Sequence, residues 1–406
     1  MVNLNITDFI KQHITKREES FFEQDIIDHA ETLRQNIEEK SVLVIGGGGT
    51  IGSNYIKSLL RFNPGKVVVI DTNENGLTEL VRDVRSTPGL QAPAEFITYP
   101  VNFGDPIFEK IYHYYKPFDI VANFAAHKHV RSEKDIFSIE SMIQNNLFYA
   151  YRLLTLLEED QPAHFFCVST DKAANPVNIM GASKKLMEDL VMHFSTKMKC
   201  TTARFANVAF SNGSLLDGFL FRLRNRHPLA VPGDVKRYFV SPRESGDICM
   251  LACILGQTGE IYFPKLVPEQ LTSFVGITEN FLSSMGFTMD RCASEKEAKE
   301  KALSLHGNHK HYPVYVFDSE TSGEKLFEEF YTETEETDLN TFHSLGVVKN
   351  ASNNNKGTTD ITEGVQALKD LFANGNLNKA DIVDILSRYI PTFDHIEKGV
   401  GLDSKM

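Results

Sequence analysis

Between residues 41 and 169 short apolar runs alternate with longer stretches of helical periodicity, the runs falling at 42–45, 66–70, 94–98, 119–123 and 164–169. Their apolar residues are continuous, not alternate, as in strands covered on both faces, and strands separated by helices form a parallel sheet. The pattern predicts an α/β fold with a doubly wound parallel sheet over residues 41–206. Ahead of it, residues 1–40 are polar with an apolar stripe at Phe22, Ile26, Ala30, Leu33 and Ile37. This spacing predicts an amphipathic helical extension packed on the main domain or on a second subunit.

After Asn207 the alternation becomes irregular, with a Pro/Gly stretch at 229–234 and a charged helical segment at 294–302. Residues 207–348 are therefore expected to form a smaller C-terminal substrate-binding domain, with parts of the later chain returning to the sheet. The Asn-rich stretch 349–359 reads as a linker, since it offers little to bury. A helical tail, 360–406, follows, with Val365, Leu368, Leu371 and Phe372 and then Ile382, Ile385 and Leu386 on its apolar faces.

Composition narrows the function class. A chain of 406 residues, 42% hydrophobic, can bury a sizeable core, and a formal net charge of −12 argues against nucleic acid or an anionic membrane as the main partner. The five cysteines (Cys167, Cys200, Cys249, Cys253 and Cys292) contain no CxxC pair and read as core thiols in a reducing compartment, with no metal site expected. No run approaches the roughly 18 apolar residues of a membrane span, and the first residues lack a signal-peptide core, so a cytoplasmic location is expected.

The first apolar run leads directly into Gly46-Gly-Gly-Gly49-Thr50-Ile51-Gly52, with a helical stretch after it. A glycine run between strand and helix lets the backbone approach a pyrophosphate, which rests on the helix N-terminus. Asp71 closes the second run, where an acidic residue accepts the adenosine ribose hydroxyls. Its charge would repel a 2′-phosphate and no arginine follows it, so NAD is expected in preference to NADP. The GxxGxxG spacing resembles the short-chain dehydrogenase/reductase superfamily. By that resemblance, Asn102 brackets the adenine and Ala125 and Ala126 pass the cofactor.

The densest chemistry lies in Ser169-Thr-Asp-Lys-Ala-Ala-Asn-Pro-Val-Asn-Ile-Met180-Gly-Ala-Ser-Lys184, which follows a buried strand. Its polar residues would emerge at the carboxyl edge of the sheet, where ligands bind. Together with Ala125-Ala-His-Lys-His-Val130, Arg204-Phe-Ala-Asn-Val208, Arg237-Tyr-Phe239 and residues 323–330, it resembles the UDP-N-acetylglucosamine 4,6-dehydratases of bacterial polysaccharide biosynthesis, the CapD-like family. The resemblance covers roughly residues 20–400. It implies a Rossmann-type fold, NAD, a UDP-sugar substrate and a homo-oligomer. The superfamily's TyrxxxLys pair is here Met180 and Lys184, and methionine cannot exchange a proton. The same replacement marks one branch of the family; without the family, a methionine at this spacing is core filler.

The implied reaction carries hydride from sugar C4 to NAD, eliminates water across C5 and C6, and returns hydride to C6. By resemblance Asp171 protonates the departing C6 hydroxyl, Lys172 takes the C5 proton, Thr170 steadies the C4 oxygen and Lys184 holds the nicotinamide ribose. Lys172 is a base only if burial or positive neighbours lower its pKa, and Lys184 and Lys128 are the candidates. Lys128 and His129 are expected against substrate, with Arg131 where relatives usually carry proline. Asn207 and Arg237 are expected on the nucleotide, an arginine forking to diphosphate oxygens. Ser211-Asn-Gly213 departs from the common Ser-Arg-Gly and puts one phosphate contact in question, while Arg204 sits in a strand-like run and reads as structural. The alternatives are a UDP-hexose 4-epimerase or related reductase, which shares the fold, cofactor and C4 oxidation but lacks the acid/base pair for elimination, and a non-catalytic NAD-binding scaffold.

Overall fold

The computed structural model describes residues 4–305, 309–318, 328–351, 360–375 and 378–396. Residues 323–327 of the Gly323 motif, 352–359 of the expected linker, 397–406 of the tail and the Arg131 side chain lie outside the described residues.

Six strands follow in parallel: β1 (Ser41–Ile45), β2 (Lys66–Asp71), β3 (Glu95–Pro100), β4 (Ile120–Asn123), β5 (His164–Val168) and β6 (Cys200–Ala203). Three later strands, β7 (Glu260–Pro264), β8 (Thr337–Asp338) and β9 (Leu345–Val348), complete a nine-stranded sheet in the order β8-β9-β7-β6-β5-β4-β1-β2-β3. β7 continues the parallel run and β8 and β9 close the edge antiparallel. From β1 the chain winds outward through β2 and β3, then crosses back to β4, so the order reverses between β1 and β4. Such a reversal opens a crevice beyond the carboxyl ends of those two strands.

Continuous apolar strands need cover on both faces, and helices supply it. Those that matter for the site are α1 (Thr50–Leu60), α2 (Tyr149–Leu157), α3 (Ile179–Phe194) and α4 (Pro242–Ile254). Along α4 every residue from Glu244 to Ile254 is buried, which makes Cys249 and Cys253 core thiols; all five cysteines are free and buried. Ahead of the sheet the helical extension is divided. Glu23–Asp28 and Ala30–Ile37 are separate helices meeting at His29, and Phe22, Ile26, Leu33 and Ile37 enter the main core. Before them, Ile6–Phe9 and a π-turn at Ile10–Thr15 reverse at Lys16 (φ 54°) and bury Phe9, Ile10 and Ile14 in a second core. The fully buried Asp25 carboxylate accepts the backbone N–H groups of His343 and Ser344, latching the extension to the start of β9.

That second core lies under a three-stranded parallel sheet with His311–Phe317 between Thr288–Cys292 and Leu229–Pro232. Beyond β9 the expected linker begins as structure. The Lys349 ammonium reaches Glu260 at 2.7 Å, and buried Ala351 donates its N–H to the Gly259 carbonyl. The tail forms α5 (Ile361–Ala373) and α6 (Lys379–Tyr389), whose Val365, Leu368, Ile382 and Leu386 join the main core. Lys369 lies over the rings of Phe148 and Tyr151. Past α6, Asp394 and Ile396 donate backbone N–H groups to the carbonyls of Pro176 and Val177, so the tail returns to the loop carrying the densest chemistry.

Candidate active site

Two adjoining clefts open at the β1/β4 crevice, of about 320 and 380 Å³. The walls of the first include Gly46, Gly49, Thr50, Ile51, Gly52, Asp71, Asn102, Ala125 and Ala126, nine residues of the expected cofactor set. Gly46 has φ +78°, and a Cβ there would stand 2.5 Å from the Ala125 nitrogen. At Gly52 a Cβ would drive into the Gly46 carbonyl and the Gly47 Cα, so both positions demand glycine. α1 then starts with Gly49 as N-cap and no side chain capping it, which leaves first-turn N–H groups and the positive end of the helix dipole facing the cleft.

Asp71 accepts the Gly48 N–H on Oδ2 and the Asn73 N–H on Oδ1, both at 2.8 Å. A carboxylate has about four lone-pair sites, so each oxygen retains capacity for a ribose hydroxyl. Asn102 accepts the Gly104 N–H, and Thr50 Oγ1 accepts the Asn212 N–H, which joins the Ser211-Asn-Gly213 loop to the cleft. Two asparagines that sequence reading passed over complete this region. Asn145 lines the cleft, and buried Asn146 accepts the His127 N–H and donates to the His127 carbonyl and Ser183 Oγ, pinning the Ala125 loop to α3.

The second cleft gathers Thr170, Asp171, Lys172, Met180, Lys184, Lys128, His129, Asn207 and Ser211 into one wall system. A short 3₁₀ turn, Asp171–Ala173, begins where β5 ends and is capped by the Thr170 side chain. Thr170 Oγ1 donates to Asp171 Oδ1 at 2.8 Å, and Lys172 Nζ reaches both Asp171 oxygens at 3.2 and 3.3 Å. Asp171 is buried while the Lys172 side chain stays one-third exposed. Met180 is buried in α3 and its backbone N–H donates to Glu133, a further unsuspected partner. One turn on, Lys184 Nζ donates to the Val168 carbonyl at 2.7 Å, and burial draws its ammonium below the ordinary lysine value. Lys128 lines both clefts, and desolvation there draws its ammonium below the ordinary lysine value, with Asp217 opposing.

Arg237 stands apart from this wall. Its Nε is 3.6 Å from Glu328 Oε1, and Asn207 Nδ2 donates to the same oxygen, so one carboxyl engages both residues expected on the nucleotide. Glu328 is buried, and burial pushes its carboxyl up from 4.5 to about 7, with the nearby Asp171 charge adding to the shift and Arg237 and Lys172 opposing it. The glutamate lay inside a quoted motif, but nothing in its spacing separated it from Glu329. Arg204 is structural: fully buried, it forks to Glu188 and Glu335 and donates to the Phe330 carbonyl. Among the described residues no cluster of His, Cys, Asp and Glu could hold a metal ion, and no helix is long and apolar enough to cross a membrane.

A protein of Methanocaldococcus jannaschii named uncharacterized membrane protein MJ1061 is 28% identical over 319 residues, 77% of this chain and 86% of that one. The capsular polysaccharide biosynthesis protein CapD of Staphylococcus aureus is 26% identical over 307 residues, 75% of this chain but 47% of CapD, so the chain spans about half of that relative's length. In fold it is similar to DesIV, a dTDP-glucose 4,6-dehydratase of Streptomyces venezuelae solved with NAD and TYD bound; the TM-score is 0.52 at 19% identity, over 71% of this chain and 88% of that one. A family model described as polysaccharide biosynthesis protein matches residues 42–350. Spanning most of the chain and both clefts, that match makes this protein a member of the CapD-like polysaccharide biosynthesis family of extended short-chain dehydrogenases.

Proposed function

We propose that the protein is a sugar-nucleotide 4,6-dehydratase that uses NAD to remove water from UDP-N-acetylglucosamine, leaving a 4-keto-6-deoxy sugar. The observation that carries this reading is the Thr170-Asp171-Lys172 cluster, an acid, a base and a hydroxyl in contact at the mouth of β5. An epimerase needs proton transfer only at the C4 oxygen and breaks no bond at C5 or C6, so it has no use for a second group paired for elimination. The glycine cradle and the two accepting oxygens of Asp71 fit a dinucleotide, and DesIV holds NAD on the same fold.

NAD, when bound, supplies the acceptor for the C4 hydride and gives it back at C6. The remaining work falls to the chain. Gly46, Gly49 and Gly52 admit the pyrophosphate to the first turn of α1, and Lys184, fixed by the Val168 carbonyl and Met187 Sδ, keeps its third N–H for a ribose hydroxyl. The Lys172–Asp171 contacts at 3.2 and 3.3 Å hold the base for the C5 proton beside the acid for the C6 hydroxyl. Thr170 turns its hydroxyl from Asp171 to the C4 oxygen as the ketone forms. The Met180 side chain packs against this space and exchanges no proton. Incubation with UDP-N-acetylglucosamine and NAD, followed by NMR, tests the reading. The expected product lacks one water and carries a C6 methyl group; a C4 epimer of unchanged mass would replace the dehydratase with an epimerase.

A further inference from the structure

One loop belongs to both clefts. Beyond Asn207 the chain reverses at Phe210 (φ 53°) and again at Gly213 (φ +73°). Ser211, Gly213 and Ser214 line the catalytic cleft, whereas Asn212 between them lines the dinucleotide cleft. The loop is tied down on several sides. The Phe210 ring packs edge-on against Phe9 of the N-terminal extension at 6.0 Å and tilted against Phe281 at 6.2 Å, both in the second core. Ser214 donates its N–H to the Ser211 carbonyl at 2.8 Å, and the Gly213 N–H goes to Asp217 Oδ2 at 3.0 Å. His129 closes on Gly213 so nearly that a Cβ there would stand 3.3 Å from its Nε2.

The remaining tie is to the cofactor helix. The Asn212 N–H donates to Thr50 Oγ1 at 3.0 Å, across 162 residues of chain. Thr50 is the first residue of α1, whose uncapped N–H groups face the cleft. The bond therefore puts Asn212 at the end of the cleft where the glycines let a pyrophosphate approach. It uses only the backbone of residue 212. The side chain is exposed, and its carboxamide has no hydrogen-bond partner among the described residues. A pyrophosphate carries acceptor oxygens all round, and the first turn of α1 can satisfy only those that face it.

We propose that the Asn212 carboxamide donates to the pyrophosphate of NAD, so that the dinucleotide is held between the first turn of α1 and a loop of the catalytic cleft. The inference rests on the first cleft's taking NAD and is independent of the dehydratase chemistry. An asparagine amide supplies two N–H donors and no charge. Thr50, accepting from the Asn212 backbone, keeps its own O–H to donate toward the same phosphates and fixes the loop in register. Asn212 would thus be a cofactor-binding residue contributed from outside the β-α-β stretch that supplies most of the cleft.

The test is NAD binding to the full chain by calorimetry, with no turnover required. Asn212→Ala removes the donors and is expected to weaken NAD by roughly three- to tenfold, the scale of one net hydrogen bond. Asn212→Asp keeps the shape but sets a negative charge against the phosphates. It is expected to weaken NAD by roughly ten- to a hundredfold, with the loss reduced at high salt. Asn212→Arg should bind NAD at least as tightly as the wild type, because a guanidinium donates to phosphate oxygens and carries the opposite charge. Without NAD the melting temperature should be unchanged in all three, since the Thr50 bond is made by the backbone. An Asn212→Asp that binds NAD as the wild type does, or an order of affinities that does not follow charge, overturns the contact. An equal loss in all three variants with a lowered melting temperature also overturns it, by making the loop structural only. A wild type that binds no NAD overturns the dinucleotide reading of the cleft itself, and this contact with it.

Discussion

The dinucleotide cleft and the catalytic cleft share Ile51, Phe124, Ala126 and Lys128 in their walls, yet they are built in different ways. The first is mainly backbone: glycines that exclude a Cβ, bare helix N–H groups, and a carboxylate tied to two amides. Most of its parts come from one β-α-β stretch. The second is made of titratable side chains and draws on Asn207 and Ser211, with Glu328 behind Asn207 and the tail clipped to the loop beneath. On the proposed reading, one cleft binds through shape that cannot change and the other acts through protons that can move. Damage to the first should remove the cofactor, whereas damage to the second should leave it bound and stop the chemistry.

The largest expected effect is at Gly52. Gly52→Ala puts a methyl group into the Gly46 carbonyl, where only backbone could yield, and the overpacking cost of about 1–3 kcal/mol or more falls on the pyrophosphate turn. NAD binding by calorimetry should be lost. A variant that binds NAD normally would break the account of the first cleft.

Next come the acid and the base. Asp171→Asn and Lys172→Ala should each lower turnover by roughly 10² to 10⁴-fold while NAD stays bound, and Lys172→Ala should also abolish deuterium uptake at C5 in heavy water. Loss of NAD in either variant would merge the two clefts into one functional unit.

A smaller effect concerns stability against pH. Unfolded, Glu328 loses its proton near 4.5; folded, it keeps the proton to about 7 because burial disfavours the charged form. The stabilisation is fully present below about 4.5 and is lost as pH rises through about 7, where the folded carboxyl ionises. Glu328→Gln should flatten that part of the denaturation-midpoint profile; an unchanged slope would remove the buried titration.

Smallest of all is Met180→Leu. The swap conserves volume, should cost under about 1.5 kcal/mol, and should leave turnover near normal, because Met180 shapes the cleft without exchanging protons. An inactive Met180→Leu beside an active Asp171→Asn would invert the assignment of roles.

The same contrast explains what was legible in the sequence. The sheet and the first cleft could be read because apolar runs, a glycine turn and Asp71 are local signals whose cause lies within a few residues. Thr170, Asp171 and Lys172 were readable for the same reason, as one turn after one strand. Glu328 was not, since its environment is set by Asn207, Arg237 and Asp171, each distant along the chain. Arg237 was read as a nucleotide ligand, and its 3.6 Å approach to the Glu328 carboxyl is a tertiary contact that neither its residue type nor its motif announces. The division of the extension at His29 and the return of the tail to Pro176 and Val177 are likewise tertiary, carried by backbone groups that leave no periodicity.

The central claim is that one cleft delivers hydride while the other expels water, and one labelling experiment addresses both. UDP-N-acetylglucosamine deuterated at C4 should yield a 4-keto product with deuterium in the C6 methyl group and none in the solvent, read by NMR. Deuterium found at C4 of an epimerised hexose, or an intact substrate with its label in place, would contradict the account.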